Sequence, residues 1–412
     1  MKSKLLLVML TAMTCMLAQR SHAQTRYQDS IFAAYTLDSV VYSSVTGFKM
    51  DIYQPAGDVA TKRPVVVLAH EGTFYAGDRE SDPTVVGLCK DLAHKGYVAI
   101  SIDYTLAASP VNLFDTATAA VEVFKAIADA RAAVRFLYAD AYGANTYKVD
   151  TSNIFIGGNS AGAVLAMHYA YVTNTSQLTV NHFFLSAVDS IGGTLQGNHG
   201  NPGYNSNIKG VISCAGGLNQ AAWLAFCSFP IVYVQGDQDA VVPYTCAEPY
   251  ISGFHVPLVL CGLGSLSSSV ATNTPYSSTL VFPGQGHVPW DASAPLFYQV
   301  DTLVTGFLYK EVTNAVPSTC TGGVHAGIKD ITNSATINMY PNPATDVLNV
   351  HSSQFISSIS VVDEMGRVVL QTSNLHNLEY QLSTSGLTTG VYIVRVYNEL
   401  GELPAVGKVT IE

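Results

Sequence analysis

One short stretch narrows the possible folds more than any other. Asn153-Ile-Phe-Ile156 reads as a buried strand, Ala161 to Met167 as the start of a helix, and Gly158-Asn159-Ser160-Ala161-Gly162 joins them. A chain that passes from strand to helix in so few residues turns sharply, and Gly158 and Gly162 let the turn close without a steric clash. Such a turn lifts the Ser160 hydroxyl above the edge of a sheet. Ser160 is therefore the candidate nucleophile.

The surroundings fit that turn. From about residue 24 to 310 short β-branched runs alternate with helical stretches, the pattern of a mostly parallel α/β sheet covered by helices. Strands are expected at 49–53, 65–69, 98–103, 154–156, 210–213, 231–234 and 279–282, most of them apolar throughout, as strands buried on both faces are. Val123, Ile127, Ala130, Val134 and Leu137 mark one face of an amphipathic helix over 119–138.

A serine hydroxyl needs an imidazole base, and the imidazole needs a carboxylate to hold its tautomer. In the chain order Ser, Asp, His the partners come from loops after later strands. Run 231–234 leads into a loop with Asp237 and Asp239, and run 279–282 into Pro283-Gly-Gln-Gly-His287-Val-Pro-Trp290. Both loops sit at the carboxyl ends of strands in a parallel sheet. Asp239 is the expected acid, because its loop resembles G-x-x-D-x-x-V-P with the second acid as the triad member; Asp237 is read as a turn residue or cap. His287 is the expected base, with His94, His168, His182 and His255 assigned to helix, surface or core.

A developing oxyanion needs donors, expected from the N–H of Ala161 and from Gly72 and Thr73 in the loop His70-Glu71-Gly72-Thr73-Phe74. Glu71 is read as a packing or hydrogen-bonding residue. Phe74, Trp223 and Trp290 are candidates to line a substrate pocket, and the Gly- and Asn-rich stretch 189–204 to cap it.

Lys2 and Lys4 precede an apolar stretch, 5–18, and the small-x-small pattern Ser21-His22-Ala23, which together read as a signal peptide over 1–23. That stretch falls short of the roughly 20 apolar residues of a membrane span, and nothing later supplies them. The net charge of −10 becomes more negative once Lys2, Lys4 and Arg20 leave, which excludes nucleic acid as a partner. Of the remaining cysteines, Cys89, Cys214, Cys227, Cys246, Cys261 and Cys320, pairing is undetermined in an exported chain. No spacing suggests a metal site, and the chemistry requires no cofactor.

The catalytic unit is expected over 24–311. A Gly- and Pro-bearing linker follows at 312–335, and a small all-β sandwich at 336–412, with strands at 348–351, 356–362, 368–371, 391–397 and 407–411.

With these motifs in this order, the region from about 49 to 310 resembles the α/β-hydrolase superfamily, and within it the carboxylesterase and hormone-sensitive-lipase-like branch. That branch carries a His-Gly-Gly-Gly loop, an Asp-Tyr-Arg-Leu-Ala segment, a helix with Asp and Ala-Val-Arg-Phe-Leu, and a Gly-x-Ser-Ala-Gly elbow. This chain has Asp103-Tyr104-Thr105-Leu106-Ala107, residues 129–137 and Gly158 to Gly162 at matching places. The resemblance implies a Ser160, Asp239, His287 triad with Gly72, Thr73 and Ala161 as oxyanion donors, and a structural ion pair between Asp129 and Arg135. Two positions depart: Glu71-Gly72-Thr73 replaces the glycine triplet, and Thr105 replaces the arginine. A β-branched residue resists φ > 0, so a different loop path is expected at Thr73.

Residues 336–412 resemble the type IX secretion sorting domain of Bacteroidetes, through Met339-Tyr340-Pro341-Asn342-Pro343, Val362-Asp363-Glu364-Met365-Gly366-Arg367 and Gly390-Val391-Tyr392. The basic tail common in such domains is missing, and surface attachment or release stays open. The reading is a secreted serine ester hydrolase working through an acyl-enzyme, with acetyl or feruloyl esters of polysaccharide as substrates suggested by export, and the type IX machinery as partner. A peptidase, amidase or acyltransferase on the same fold, and a noncatalytic hydrolase-like binding protein, are the alternatives.

Overall fold

A computed structural model describes residues 25–313 and 337–412, apart from 226–228, 252, 275, 364–367, 374, 376 and 398–404. The expected signal peptide, residues 314–335 of the expected linker, Cys227 and Cys320 lie outside the described residues.

The chain builds β1 (Tyr35–Val41), β2 (Lys49–Pro55), β3 (Arg63–Ala69), α1 (Pro83–Lys95), β4 (Val98–Ile102), α2 (Thr116–Tyr142), β5 (Val149–Asn159), α3 (Ala161–Tyr171), α4 (His182–Ser190), β6 (Gly210–Cys214), β7 (Ile231–Gly236), a short hairpin of β8 (Tyr250–Ile251) and β9 (Phe254–His255), α5 (Leu263–Asn273), β10 (Ser278–Phe282) and α6 (Ala294–Thr313). Eight of these strands form one sheet in the order β1-β2-β4-β3-β5-β6-β7-β10. β1, β2 and β4 pair antiparallel, and every pairing from β4 to β10 is parallel.

Alternate residues of the central strands feed two cores. Val65, Val67 and Ala69 of β3 pack with Ile127, Val134 and Leu137 of α2 and Leu165 of α3. Val66 and Leu68 point the other way, into Leu88 and Leu92 of α1 and Val304 and Phe307 of α6. β3 is therefore apolar from Pro64 to Ala69, because neither of its faces meets water. α1 and α2 start where a side chain satisfies one of their first N–H groups: Asp82 accepts from Val85 and precedes Pro83, and Asp115 accepts from Thr118. Gly96, at φ 103°, closes α1 in the left-handed conformation that suits glycine.

Differences from the sequence reading follow exposure. β1 was not expected; it is an edge strand paired only with β2, and its mixed polar and apolar residues are mostly exposed. β5 begins at Val149, well before the expected residue 154, because Asp150 to Asn153 interrupt the apolar pattern while the strand still pairs with β3.

The last residues form β11 (Ile337–Tyr340), β12 (Val347–Ile356), β13 (Ser358–Val362), β14 (Val368–Thr372), β15 (Asn377–Ser383), β16 (Gly390–Tyr397) and β17 (Ala405–Ile411). They make two antiparallel sheets, β11-β12-β15 and β14-β13-β16-β17, around Leu348, Val350, Ile359, Val361, Val394 and Ile411. Among the described residues no helix is long and apolar enough to cross a membrane.

Candidate active site

β5 ends at the centre of the sheet, and the chain turns there into α3 through Ser160, whose φ of 49° and ψ of −114° lie outside the regions a side chain prefers. Close contacts impose that geometry. A Cβ on Gly162 would stand 2.0 Å from the Ala69 carbonyl oxygen, and one on Gly158 would stand 2.4 Å from the Gly162 backbone. The Ser160 N–H donates to the Cys214 carbonyl at 2.8 Å, which pins the turn to β6.

The two later loops bring their side chains to this turn. Ser160 Oγ lies 2.6 Å from His287 Nε2, and His287 Nδ1 lies 2.8 Å from Asp239 Oδ2. A carboxylate can only accept, so the imidazole proton sits on Nδ1 and Nε2 is free to accept the serine proton. Asp239 is held in turn: its Oδ1 accepts the N–H groups of Val241 and Val242 at 3.0 Å each, and Gln235 Nε2 lies 3.4 Å from Oδ2. Asp237 points elsewhere, accepting the Gly284 N–H at 2.7 Å and so tying its loop to the one that carries His287.

The loop after β3 does take the left-handed path that Thr73 was expected to resist. Gly72, Thr73 and Phe74 have φ of 112°, 58° and 57°. The surroundings hold the strain. Tyr104 stacks on His70 with ring centroids 4.3 Å apart and donates to the His70 carbonyl, while the Ala107 N–H donates to the Phe74 carbonyl at 2.7 Å. The segment 103–107 thus backs the loop. Thr73 and Ala161 line the same cavity as Ser160, and among the described residues their N–H groups have no hydrogen-bond partner.

Beside Ser160 opens an apolar cavity of about 90 Å³. Phe74, Val123 and Phe124 of α2, Val164 and His168 of α3, and Trp223 line it, with Ile251 and Leu258 from the segment after β7. His168 is a neutral core residue: burial pushes its pKa down to about 4, its Nδ1 donates to the Val164 carbonyl, and its Nε2 accepts the Asn219 N–H.

Three sequence expectations need correction. Trp290 does not line the cavity; it is 1% exposed, packs on Phe282 and donates through its indole N–H to Asn159 Oδ1. Residues 189–204 are not its cap, since Gln196 and Gly200 present their carbonyls to Arg135 on α2 and His199 Nδ1 sits 2.7 Å from Asp129. Asp129 and Arg135 therefore do not pair. Asp129 instead accepts from the Thr105 N–H and hydroxyl, which occupy the place of the absent arginine.

Sequence reasoning also missed a group of acids behind the serine. Asp82 accepts the N–H of Glu71, and Asn159 Nδ2 reaches Asp291 at 3.2 Å and Asp82 at 3.5 Å. Thr84 donates to Asp291. Burial, with the neighbouring charges of Asp291 and Asp82, pushes Glu71 up to about 7, and burial takes Asp82 up to about 6. Asp291 lies far along the chain from Glu71 and Asp82, so no local pattern announces the group. Among the described residues no group of three His, Cys, Asp or Glu side chains is placed to hold a metal ion.

Comparison with known proteins adds family matches. Residues 50–228 match the family model BD-FAE, and residues 338–412 match that of the secretion system C-terminal sorting domain. No curated protein matches the chain. Solved structures similar to it include the apo form of Thermogutta terrifontis esterase 2, 19% identical, covering 71% of this chain and 100% of that one at a TM-score of 0.49. The same esterase phosphonylated by cyclosarin is 18% identical with the same coverage and a TM-score of 0.49. A propionate-bound esterase structure from Thermogutta terrifontis is 18% identical, covering 71% and 99% at 0.48.

Two outcomes follow from the packing. Gly162→Ala forces its methyl into the Ala69 carbonyl and is expected to lower unfolding stability by about 3 kcal/mol, read by urea denaturation. Glu71 releases its proton near pH 4.5 when unfolded and near 7 when folded, so the folded chain binds more protons between those values and its stability falls as pH rises through them. Glu71→Gln should narrow the difference in melting temperature between pH 5 and pH 8.

Proposed function

We propose that this chain, which joins an α/β-hydrolase domain of the BD-FAE family to a C-terminal type IX secretion sorting domain, is an exported serine esterase using Ser160, His287 and Asp239 on short acyl esters. The observation that carries the assignment is the unbroken relay from hydroxyl to imidazole to carboxylate, at 2.6 and 2.8 Å, at the rim of an apolar cavity.

In this reading His287 takes the Ser160 proton as Oγ attacks the ester carbonyl. The negative oxygen of the tetrahedral intermediate is held by the N–H of Ala161 and of the Gly72-Thr73 turn. His287 then gives its proton to the departing alcohol, leaving an acyl group on Ser160. Water, deprotonated by the same imidazole, attacks that acyl group and restores the serine. Asp239 stays ionised throughout and stabilises the imidazolium. Phe74 and Trp223 shape the acyl side. No step calls for a metal or organic cofactor.

Cavity size argues for the acyl group. At about 90 Å³ the space is smaller than the roughly 150 Å³ apolar cavity that accommodates a benzene ring, so an acetyl to butyryl group suits it better than a feruloyl group. Export makes an extracellular ester the natural target, and acetyl groups on polysaccharide meet both conditions.

A fluorophosphonate should label wild type and not Ser160→Ala, and p-nitrophenyl acetate hydrolysis should vanish in that variant. Asp239→Asn should lower kcat about 10³- to 10⁴-fold while preserving the fold. Equal hydrolysis by wild type and Ser160→Ala would remove the triad assignment and leave a binding protein on a hydrolase scaffold. For substrate size, kcat/KM on p-nitrophenyl acetate or butyrate should exceed that on p-nitrophenyl ferulate by at least about tenfold; a preference for the ferulate would reverse the cavity argument.

A further inference from the structure

The segment between the acid and the histidine contains an element that the triad does not use. After Asp239 the chain runs out through Cys246, forms the β8–β9 hairpin, and returns through Cys261 into α5, and a disulfide joins Cys246 to Cys261. Its base is fixed from several sides. Ala247 and Leu260 exchange backbone hydrogen bonds, Cys261 does the same with Leu218, and the Cys246 N–H donates to Ser265 Oγ. Two residues beyond Cys261, at the first position of α5, the Leu263 N–H donates to Gln235 Oε1 at 2.7 Å, the same side chain whose Nε2 lies beside Asp239.

The two sides of this loop differ. Pro249, Ile251, Val256, Leu258 and Leu260 line the cavity beside Ser160, whereas Tyr250, Phe254 and Val259 are 47%, 59% and 40% exposed. Its outer end rests on the start of α2 and the turn before it: the rings of Phe254 and Phe114 are 4.9 Å apart, and Thr116 donates to the Pro257 carbonyl at 3.3 Å. The strands themselves are two residues each, too short to hold together as an isolated hairpin. Closure by the disulfide removes the freedom that so short a ladder cannot remove.

We propose that the described residues between the disulfide-bonded Cys246 and Cys261 form the specificity-determining wall of the acyl cavity, and that the closure of this stretch sets the longest acyl chain the enzyme accepts. This rests on the esterase reading of Ser160. Ile251 and Leu258 limit the space directly, and the Cys246–Cys261 bond keeps the wall that carries them from yielding to a longer chain. A rigid wall rejects an extra methylene because the cavity cannot expand, whereas a loosened one accommodates it.

The test is a p-nitrophenyl ester series from acetate to octanoate on the full chain, with Ser160 labelling by a fluorophosphonate as a separate readout. Ile251→Ala and Leu258→Ala are expected to raise the octanoate-to-acetate ratio of kcat/KM at least tenfold, and Cys246→Ser/Cys261→Ser to raise it in the same direction. If the ratio stays within twofold of wild type in both alanine variants while Ser160 is still labelled, the wall assignment is overturned and the esterase reading stands. A disulfide variant that folds, labels and keeps the wild-type ratio overturns the role of closure. Wild type that is not labelled at Ser160 removes the esterase reading, and the wall assignment with it.

Discussion

Ser160 occupies a backbone conformation that costs about 1–3 kcal/mol, and the centre of the domain is arranged so that the chain has no alternative there. The Ala69 carbonyl presses against both glycines of the turn, and the Cys214 carbonyl holds the Ser160 N–H. β3, β5 and β6 therefore fix the serine between them. The strain is local, while the packing that sustains it extends through both cores. Placing the hydroxyl at the carboxyl edge of the sheet is what allows loops after β7 and β10 to reach it from positions far along the chain.

The same economy of position explains the departures from the hydrolase pattern. Thr73 stands where glycine would be free to turn, yet it adopts φ 58° because Tyr104 and Ala107 clamp the loop on either side. Thr105 stands where an arginine would meet an acid, and Asp129 turns to its N–H and hydroxyl and to His199 instead. In each case the backbone path survives because neighbours supply the hydrogen bonds. Glu71 adds a carboxyl group beside Asp82 and Asp291, where burial and like charge favour the protonated form.

The C-terminal sandwich solves a different problem. Its strands alternate in burial, as β16 shows with Tyr392, Val394 and Val396 inside, so the two sheets close over one small core. Residues 338–412 match a secretion system C-terminal sorting domain, and an exported protein meets conditions in which the Cys246–Cys261 bond persists. Cys89 and Cys214, by contrast, are buried and free within the second core. The oxidised pair sits in a loop without a core of its own, where a covalent closure has most to contribute.

Much of this was legible in the sequence because its signals are local. A strand buried on both faces must be apolar at every position, and a sharp turn must carry glycines at Gly158 and Gly162. Chain order then brought Ser160, Asp239 and His287 to one sheet edge. What the tertiary structure alone decided involves partners with no fixed spacing: the grouping of Glu71, Asp82, Asn159 and Asp291, the burial of Trp290 behind the turn, the detachment of 189–204 from the cavity, and the pairing of Cys246 with Cys261. Periodicity records which face of an element meets water. It does not record which distant side chain waits on that face, because that depends on how separate elements pack in three dimensions.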